Sequence, residues 1–209
     1  MGLCAGCAAG ILLLTPAIAA GATAEVTSDG TLEVTADPGV ANDLYVAYNS
    51  TADLYGIVEP GRAVVSGPGC MTTFGTAGCA AAAIDRIVVM AQDGNDHVSL
   101  DGAGMATAAF VDPVDVLGGD GDDVLRGGSA AATLKGADGD DVLLGRAGDD
   151  ILVGGKGRDT MLGELGRDKL KARDRKRDRV IDCGAGKDPK AGVDRRKDPR
   201  AASCKRPRR

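Results

Sequence analysis

Residues 118–171 read GGDGDDVLR, GGSAAATLK, GADGDDVLL, GRAGDDILV, GGKGRDTML and GELGRDKLK, six nonapeptides in one unbroken phase. The eighth position of every unit is apolar: Leu125, Leu134, Leu143, Leu152, Met161 and Leu170. The sixth is Asp123, Asp141, Asp150, Asp159 and Asp168, with Ala132 the exception. One further unit in the same phase, AQDGNDHVS at 91–99, supplies Asp96 and Val98. Glycine at positions 1, 2 and 4 permits a tight turn with positive φ. The alternation around position 8 suits a short strand with one buried face. Each unit is therefore a turn plus a strand, too small to bury its own leucine. Stacking successive units joins those leucines into an apolar column and pairs the strand edges.

Composition agrees with a chain built this way. The 209 residues include 32 Gly and only five aromatic side chains, and Ala supplies 33 of the apolar residues. Bulky apolar residues are too scarce for a thick conventional core. The single His97 excludes a His-rich metal site. No nucleophile elbow, P-loop, H-E-x-x-H or dinucleotide fingerprint occurs, so no enzyme is expected, and His97 beside a strand reads as a surface or stacking residue. Charge is unevenly spread: residues 1–155 carry 21 acidic against 5 basic residues, and residues 156–209 carry 9 against 20. An acidic, cation-seeking body with a basic tail is the expectation.

The nonapeptides resemble the RTX, or haemolysin-type, calcium-binding repeat G-G-x-G-x-D-x-U-x, strongly over 118–171 and partly over 91–99. The β-like pieces of 25–90, with GPGC at 67–70 and DGND at 93–96, resemble the N-terminal part of small exported actinobacterial proteins of that type. RDRVIDCGAGKD at 177–188 resembles the closing segment of exported RTX-repeat proteins. The resemblance implies an all-β parallel β-roll, a solenoid in which two nonapeptides make one coil and their turns fall on opposite sides. One edge then carries Asp123, Asp141 and Asp159, and the other Ala132, Asp150 and Asp168. Coils about 4.8 Å apart would crowd these carboxylates, which repel by roughly 1 kcal/mol per pair in water and by more when desolvated.

A calcium ion between turns, taking six to eight oxygens in loose geometry, is the expected remedy. Main-chain carbonyls would complete its shell, and Gly119, Gly121, Gly139, Gly148 and Gly157 mark the turns that supply them. The strongest expected site lies between 118–123 and 136–141, where Asp120, Asp122, Asp138 and Asp140 add negative potential. A second lies between 136–141 and 154–159. A third lies between 145–150 and 163–168, weakened by the arginines Arg158 and Arg167 that replace Asp at position 5 downstream. GGSAAATLK keeps Leu134 but lacks the ligand, so it reads as a structural unit. Arg177 falls at position 6 of the next unit in phase, where the array is expected to end.

The flanks divide the chain further. Ala8 to Ala20 is an apolar run of 13 followed by small residues, a secretory signal-peptide pattern over residues 1–24 with cleavage after Ala19 or Ala24. It is too short to span a bilayer, and export to the extracellular space is expected. Residues 25–90 alternate in short β-like pieces broken by Gly, Pro, Asn and Asp, an N-terminal β-rich region that caps the roll from 91 to 171. Residues 100–117 read as degenerate coils or a loop. Residues 172–209 form a basic tail.

Cys4 and Cys7 fall in the signal segment. Four cysteines remain, and an even number in an exported chain reads as disulfides. Sequence proximity favours Cys70–Cys79 and Cys183–Cys204 among the three connectivities. Each would contribute about 2.5–3.5 kcal/mol. The expected function is calcium binding coupled to folding of a secreted, non-enzymatic protein. A second reading makes the roll or its basic tail a surface for anionic cell-surface polymers, with calcium only structural. No aromatic residue interleaves the basic ones, so base stacking on nucleic acid is not expected.

Overall fold

In the computed structural model, residues 20–100, 113–172, 176–185 and 190–193 are described. Their regular structure is strand, apart from one short 3-10 helix at Ala81–Ala83, so the all-β expectation holds. In chain order the strands are β1 (Ala20–Val26), β2 (Thr31–Thr35), β3 (Asp43–Asn49), β4 (Leu54–Val58), β5 (Ala63–Ser66), β6 (Cys70–Thr73), β7 (Thr76–Ala80), β8 (Arg86–Asp93) and β9 (His97–Ser99). There follow β10 (Val114–Asp120), β11 (Val124–Arg126), β12 (Ala132–Asp138), β13 (Val142–Leu144), β14 (Ile151–Lys156), β15 (Thr160–Leu162), β16 (Lys169–Ala172), β17 (Val180–Asp182) and β18 (Lys190–Val193).

Two nine-stranded sheets result. One runs β18-β16-β14-β12-β10-β8-β2-β1-β5, the other β17-β15-β13-β11-β9-β3-β4-β7-β6. From β2 and β3 onward neighbouring strands are parallel, and within the nonapeptides the partner lies 18 residues on: Leu134 opposite Leu152, Leu125 opposite Leu143. Successive nonapeptides thus alternate between the sheets. Side chains alternate along each strand, as in the buried–exposed pattern of β10, and one face of each sheet meets the other.

The core is two facing apolar rows. In one sheet Val34, Val89, Val116, Leu134, Leu152 and Leu170 are successive partners. In the other they are Leu44, Val98, Leu125, Leu143, Met161 and Ile181. All twelve are buried. Residues of this kind contribute about 1.5–3 kcal/mol each when fully buried, so the rows stabilise the stack even though each coil contributes only one residue to each.

The stack extends beyond the regular nonapeptides at both ends. Upstream, β8 and β9 pair with β10 and β11 at an offset of 27 residues. Below them β2 and β3 form another coil, with Leu32 opposite Ile87 and Leu44 opposite Val98. The stretch 114–117, read from sequence as loose, is the first half of strand β10; residues 101–112 lie outside the described residues. Between β3 and β8, strands β4, β6 and β7 add antiparallel pairs to the end of the second sheet. β1 and β5 extend the first. Cys70 and Cys79 face each other across β6 and β7 and are joined by a disulfide. Downstream, Met161 pairs with Ile181 and Leu170 with Ala191. Cys183 is buried and disulfide-bonded; its expected partner Cys204 lies outside the described residues, as do residues 1–19 of the expected signal segment 1–24 and the tail from 194.

Candidate metal sites between stacked turns

Each coil enters its turn along one strand and leaves along the next, and the sixth residue sits where the turn closes. Along one edge these residues form a continuous hydrogen-bond ladder. The backbone N–H of Asp96 donates to Oδ1 of Asp123 at 2.9 Å, that of Asp123 to Asp141 at 2.9 Å, and that of Asp141 to Asp159 at 3.1 Å. Along the other edge Ala132 donates to Asp150 at 2.8 Å and Asp150 to Asp168 at 3.0 Å. Ala132 carries no ligand but takes its place in the stack, as expected of a structural unit. Position 5 makes a second ladder in the opposite sense. The N–H of Asp140 donates back to Oδ1 of Asp122 at 2.7 Å, and that of Arg158 back to Asp140 at 2.8 Å.

The family model of the RTX calcium-binding nonapeptide repeat, in four copies, matches residues 116–134 and 135–170. The turns within those residues are RTX repeats, and RTX repeats bind Ca²⁺. No curated protein and no solved structure matches the chain significantly.

The RTX turns pass a direct chemical test for such an ion. The position-6 ladders use one oxygen of the following carboxylates and leave the other buried. Oδ2 of Asp96, Asp123, Asp141, Asp150 and Asp168 is enclosed with no hydrogen-bond partner. A buried ionised oxygen in that condition is costly unless a cation meets it. Burial pushes the Asp123 carboxyl up to about 6 and those of Asp141 and Asp150 up to about 7, reinforced by neighbouring carboxylates. Asp96 and Asp168 shift upward for the same reason.

The orphaned oxygens face a space that only glycine leaves open. A Cβ on Gly145 would lie 2.6 Å from Oδ2 of Asp150 and 2.7 Å from the carbonyl oxygen of Gly163 in the next coil. On Gly118 it would run into Oδ2 of Asp123 and lie 2.8 Å from the carbonyl of Gly136. Gly163 repeats the arrangement with Asp168 and the carbonyl of Cys183. A carboxylate from one coil and a carbonyl from the next converge on each such spot, an all-oxygen donor set suited to calcium. Among the described residues no three carboxylate, imidazole or thiol side chains converge on one point, so backbone carbonyls must supply much of any shell.

This refines the reading of the glycines. Position 1 does not need positive φ; it is small because the carboxylate of position 6 lies over it. Positive φ belongs to position 2, as at Gly119 (115°), and to position 4, at Gly121, Gly139, Gly148 and Gly157. At position 4 the coils also touch closely: the carbonyl of Gly121 abuts the α-carbon of Gly139, and that of Gly139 abuts Gly157.

The outer carboxylates are arranged as a gradient. Asp93, Asp120 and Asp138 stand in register, and the next residue in that row is Lys156, whose ammonium pairs with Asp138 at 2.7 Å. Arg179 reaches Asp140 at 2.8 Å. Among the described residues, ion pairs reach Asp138 and Asp140 further along the row, and none reaches Asp120 or Asp122.

Two features escaped the sequence. The array does not end at Arg177: Asp178 takes position 6, accepting the N–H of Asp159 at 3.0 Å, one residue out of phase. At the other end Asn42 donates its N–H to Oδ1 of Asp96 at 2.7 Å and begins the ladder. The step of 19 residues takes Asp178 out of the nine-residue period, whereas Asn42 lies six full periods before Asp96 and is hidden by the amide that stands in place of aspartate. His97 pairs with Asp43 at 2.5 Å and stacks edge-on against Tyr45, on the strands rather than in the turns. Among the described residues no helix is long and apolar enough to cross a membrane.

Proposed function

We propose that this chain is a secreted, non-enzymatic protein whose parallel β-roll folds on binding calcium. The observation that carries the reading is the row of buried Oδ2 atoms on Asp123, Asp141, Asp150 and Asp168, each without a hydrogen-bond partner. Asp123, Asp141 and Asp159 serve one edge, and Asp150 and Asp168 the other. Carbonyls of the turns containing Gly119, Gly121, Gly139, Gly148 and Gly157 complete the shells, and Asp120 and Asp138 raise the local negative potential. Calcium supplies the positive charge that lets buried carboxylates stay ionised at neutral pH.

Where calcium is scarce the carboxylates oppose stacking and keep the chain loose enough for export. Outside the cell they close the turns, with affinities in the range of extracellular modules, about 10⁻⁴–10⁻³ M. Export by an N-terminal signal fits the fold best with cleavage after Ala19. Strand β1 begins at Ala20, and Ala22 and Ala24 are wholly buried in the core. A cut after Ala24 removes them. N-terminal sequencing of the exported protein tests this, and Glu25 as first residue would refute it.

The decisive experiment is far-UV circular dichroism during a calcium titration, with magnesium as control. A cooperative coil-to-strand transition with calcium alone is expected. A fully strand-rich spectrum in chelator that calcium leaves unchanged would refute coupled folding.

A further inference from the structure

The first rung of the ladder is built differently from the rest. Asn42 stands where the RTX turns have aspartate, and its amide nitrogen donates to three oxygens: the carbonyls of Asp37 at 3.0 Å and Val40 at 2.9 Å, and Oδ1 of Asp96 at 3.0 Å. Counting back from Asn42, those carbonyls belong to positions 1 and 4 of its turn. An aspartate has no N–H to offer them. The amide oxygen of Asn42 in turn accepts from Nη1 of Arg62 at 3.2 Å.

Arg62 is itself held in place. Its guanidinium pairs with Glu59 Oε1 at 3.2 Å and Asp37 Oδ2 at 3.4 Å. Glu59 is only 2% exposed, and its other oxygen accepts the N–H of Ala22 on β1 at 2.8 Å. One fixed positive charge therefore ties together the first turn, the β4–β5 connection and strand β1. Arginine suits this because it stays charged and offers several donors in a planar fork.

We infer that Arg62 and Asn42 replace the metal at the first turn, so that residues 20–99 fold without calcium and form the template on which the RTX coils close. The inference rests on the calcium-coupled folding proposed above. Three features of the same region act with it. Its antiparallel strands β4, β6 and β7 have local partners, the Cys70–Cys79 disulfide restrains them, and Tyr55 and Ile57 add larger side chains to the core. Calcium then closes the stack in order, from the turn at 91–96 toward 178.

Hydrogen exchange of the full chain, read by mass spectrometry in chelator and in calcium, tests this. In chelator, amides of β3, β4 and β8 are expected to be protected at least tenfold more than those of β13 to β16, which gain protection only with calcium. If both sets are unprotected in chelator and gain protection at the same calcium concentration, the template is overturned and coupled folding stands. If both are fully protected in chelator, coupled folding itself fails. Arg62→Gln is expected to lower the chelator protection of β3 and β4 at least tenfold; unchanged protection removes Arg62 from the role. Should that variant fail to fold, Asn42→Asp is read instead. It takes away the amide donors, and protection of β3 and β4 should become calcium-dependent. Protection that stays calcium-independent overturns the assignment.

Discussion

A side chain on Gly136 would strike Oδ2 of Asp141 and lie 2.6 Å from the carbonyl oxygen of Gly154, one coil further on. The fifth residue after that glycine and the next coil's backbone thus define its size. Gly136→Ala should weaken calcium at that interval by at least tenfold and lower the stoichiometry by one ion, as read by isothermal calorimetry. The extra methyl also overpacks the stack, costing about 1–3 kcal/mol. Unaltered stoichiometry would show that the cradle is not a cation site.

Asp141 belongs to two intervals, since it receives the N–H of Asp123 and gives its own N–H to Asp159. Asp141→Asn keeps the shape and an acceptor oxygen but removes the charge. Calcium stoichiometry should fall by two, while stability in chelator at pH 8 should rise. A variant less stable in chelator than the parent would contradict the view that this buried charge opposes folding.

Proton linkage follows from the same carboxylates. Their folded-state values, about 6 for Asp123 and about 7 for Asp141 and Asp150, lie above the unfolded value near 3.8. Below about pH 4 both states are protonated and the groups contribute nothing. Between about pH 4 and 7 the unfolded chain ionises first, so the calcium-free fold loses stability as pH rises. The limiting slope is about 1.4 kcal/mol per pH unit for each carboxylate. Asp123 stops contributing to that slope near pH 6. Denaturant titrations in chelator at pH 5 and pH 8 should show the acidic sample to be the more stable. In calcium the order reverses, because protons compete for the same oxygens and the apparent affinity falls from pH 7 to pH 5.

Ala137 occupies position 2 with φ of 88°, where Gly119 and Gly155 stand in neighbouring coils. A left-handed backbone costs a non-glycine residue about 1–2 kcal/mol. Ala137→Gly should therefore raise stability in calcium by about 0.5–1 kcal/mol after the greater unfolded-state freedom of glycine is counted. A lowered thermal midpoint would argue against strain at this turn.

The Cys70–Cys79 bridge closes a loop with a sequence separation of 9, for which chain entropy predicts about 2.5 kcal/mol. The double variant Cys70→Ala, Cys79→Ala should lose roughly that stability and keep its calcium stoichiometry. A change in stoichiometry would mean that the hairpin contacts the metal-binding turns.

The repeats were legible because their constraints are local in sequence. Leu143 and Asp141 sit at fixed places in a nine-residue unit, and both the apolar row and the carboxylate ladder follow from that period. The coil at 31–49 was not, because Asn42 replaces the aspartate and 54 residues separate it from Asp96, its partner in the stack. Asp178 was missed for a smaller reason, a one-residue shift that puts Arg177 in phase. Spacing alone also misjudged Gly118 and Gly136. Their smallness answers to a carboxylate overhead, a contact between elements that no φ preference predicts.

The two ladders run in opposite senses, and this gives every coil a front and a back. Facing forward, toward the C-terminus, a coil offers the N–H of position 6 and the carboxylate of position 5; facing backward it offers the carboxylate of position 6 and the N–H of position 5. Within this stack every such contact joins the front of one coil to the back of the next, head to tail. A contact of that kind does not close on itself and, left open at both ends, propagates into a filament. The antiparallel strands at the N-terminal end occupy one of those faces, and so make the stack a single molecule of finite length.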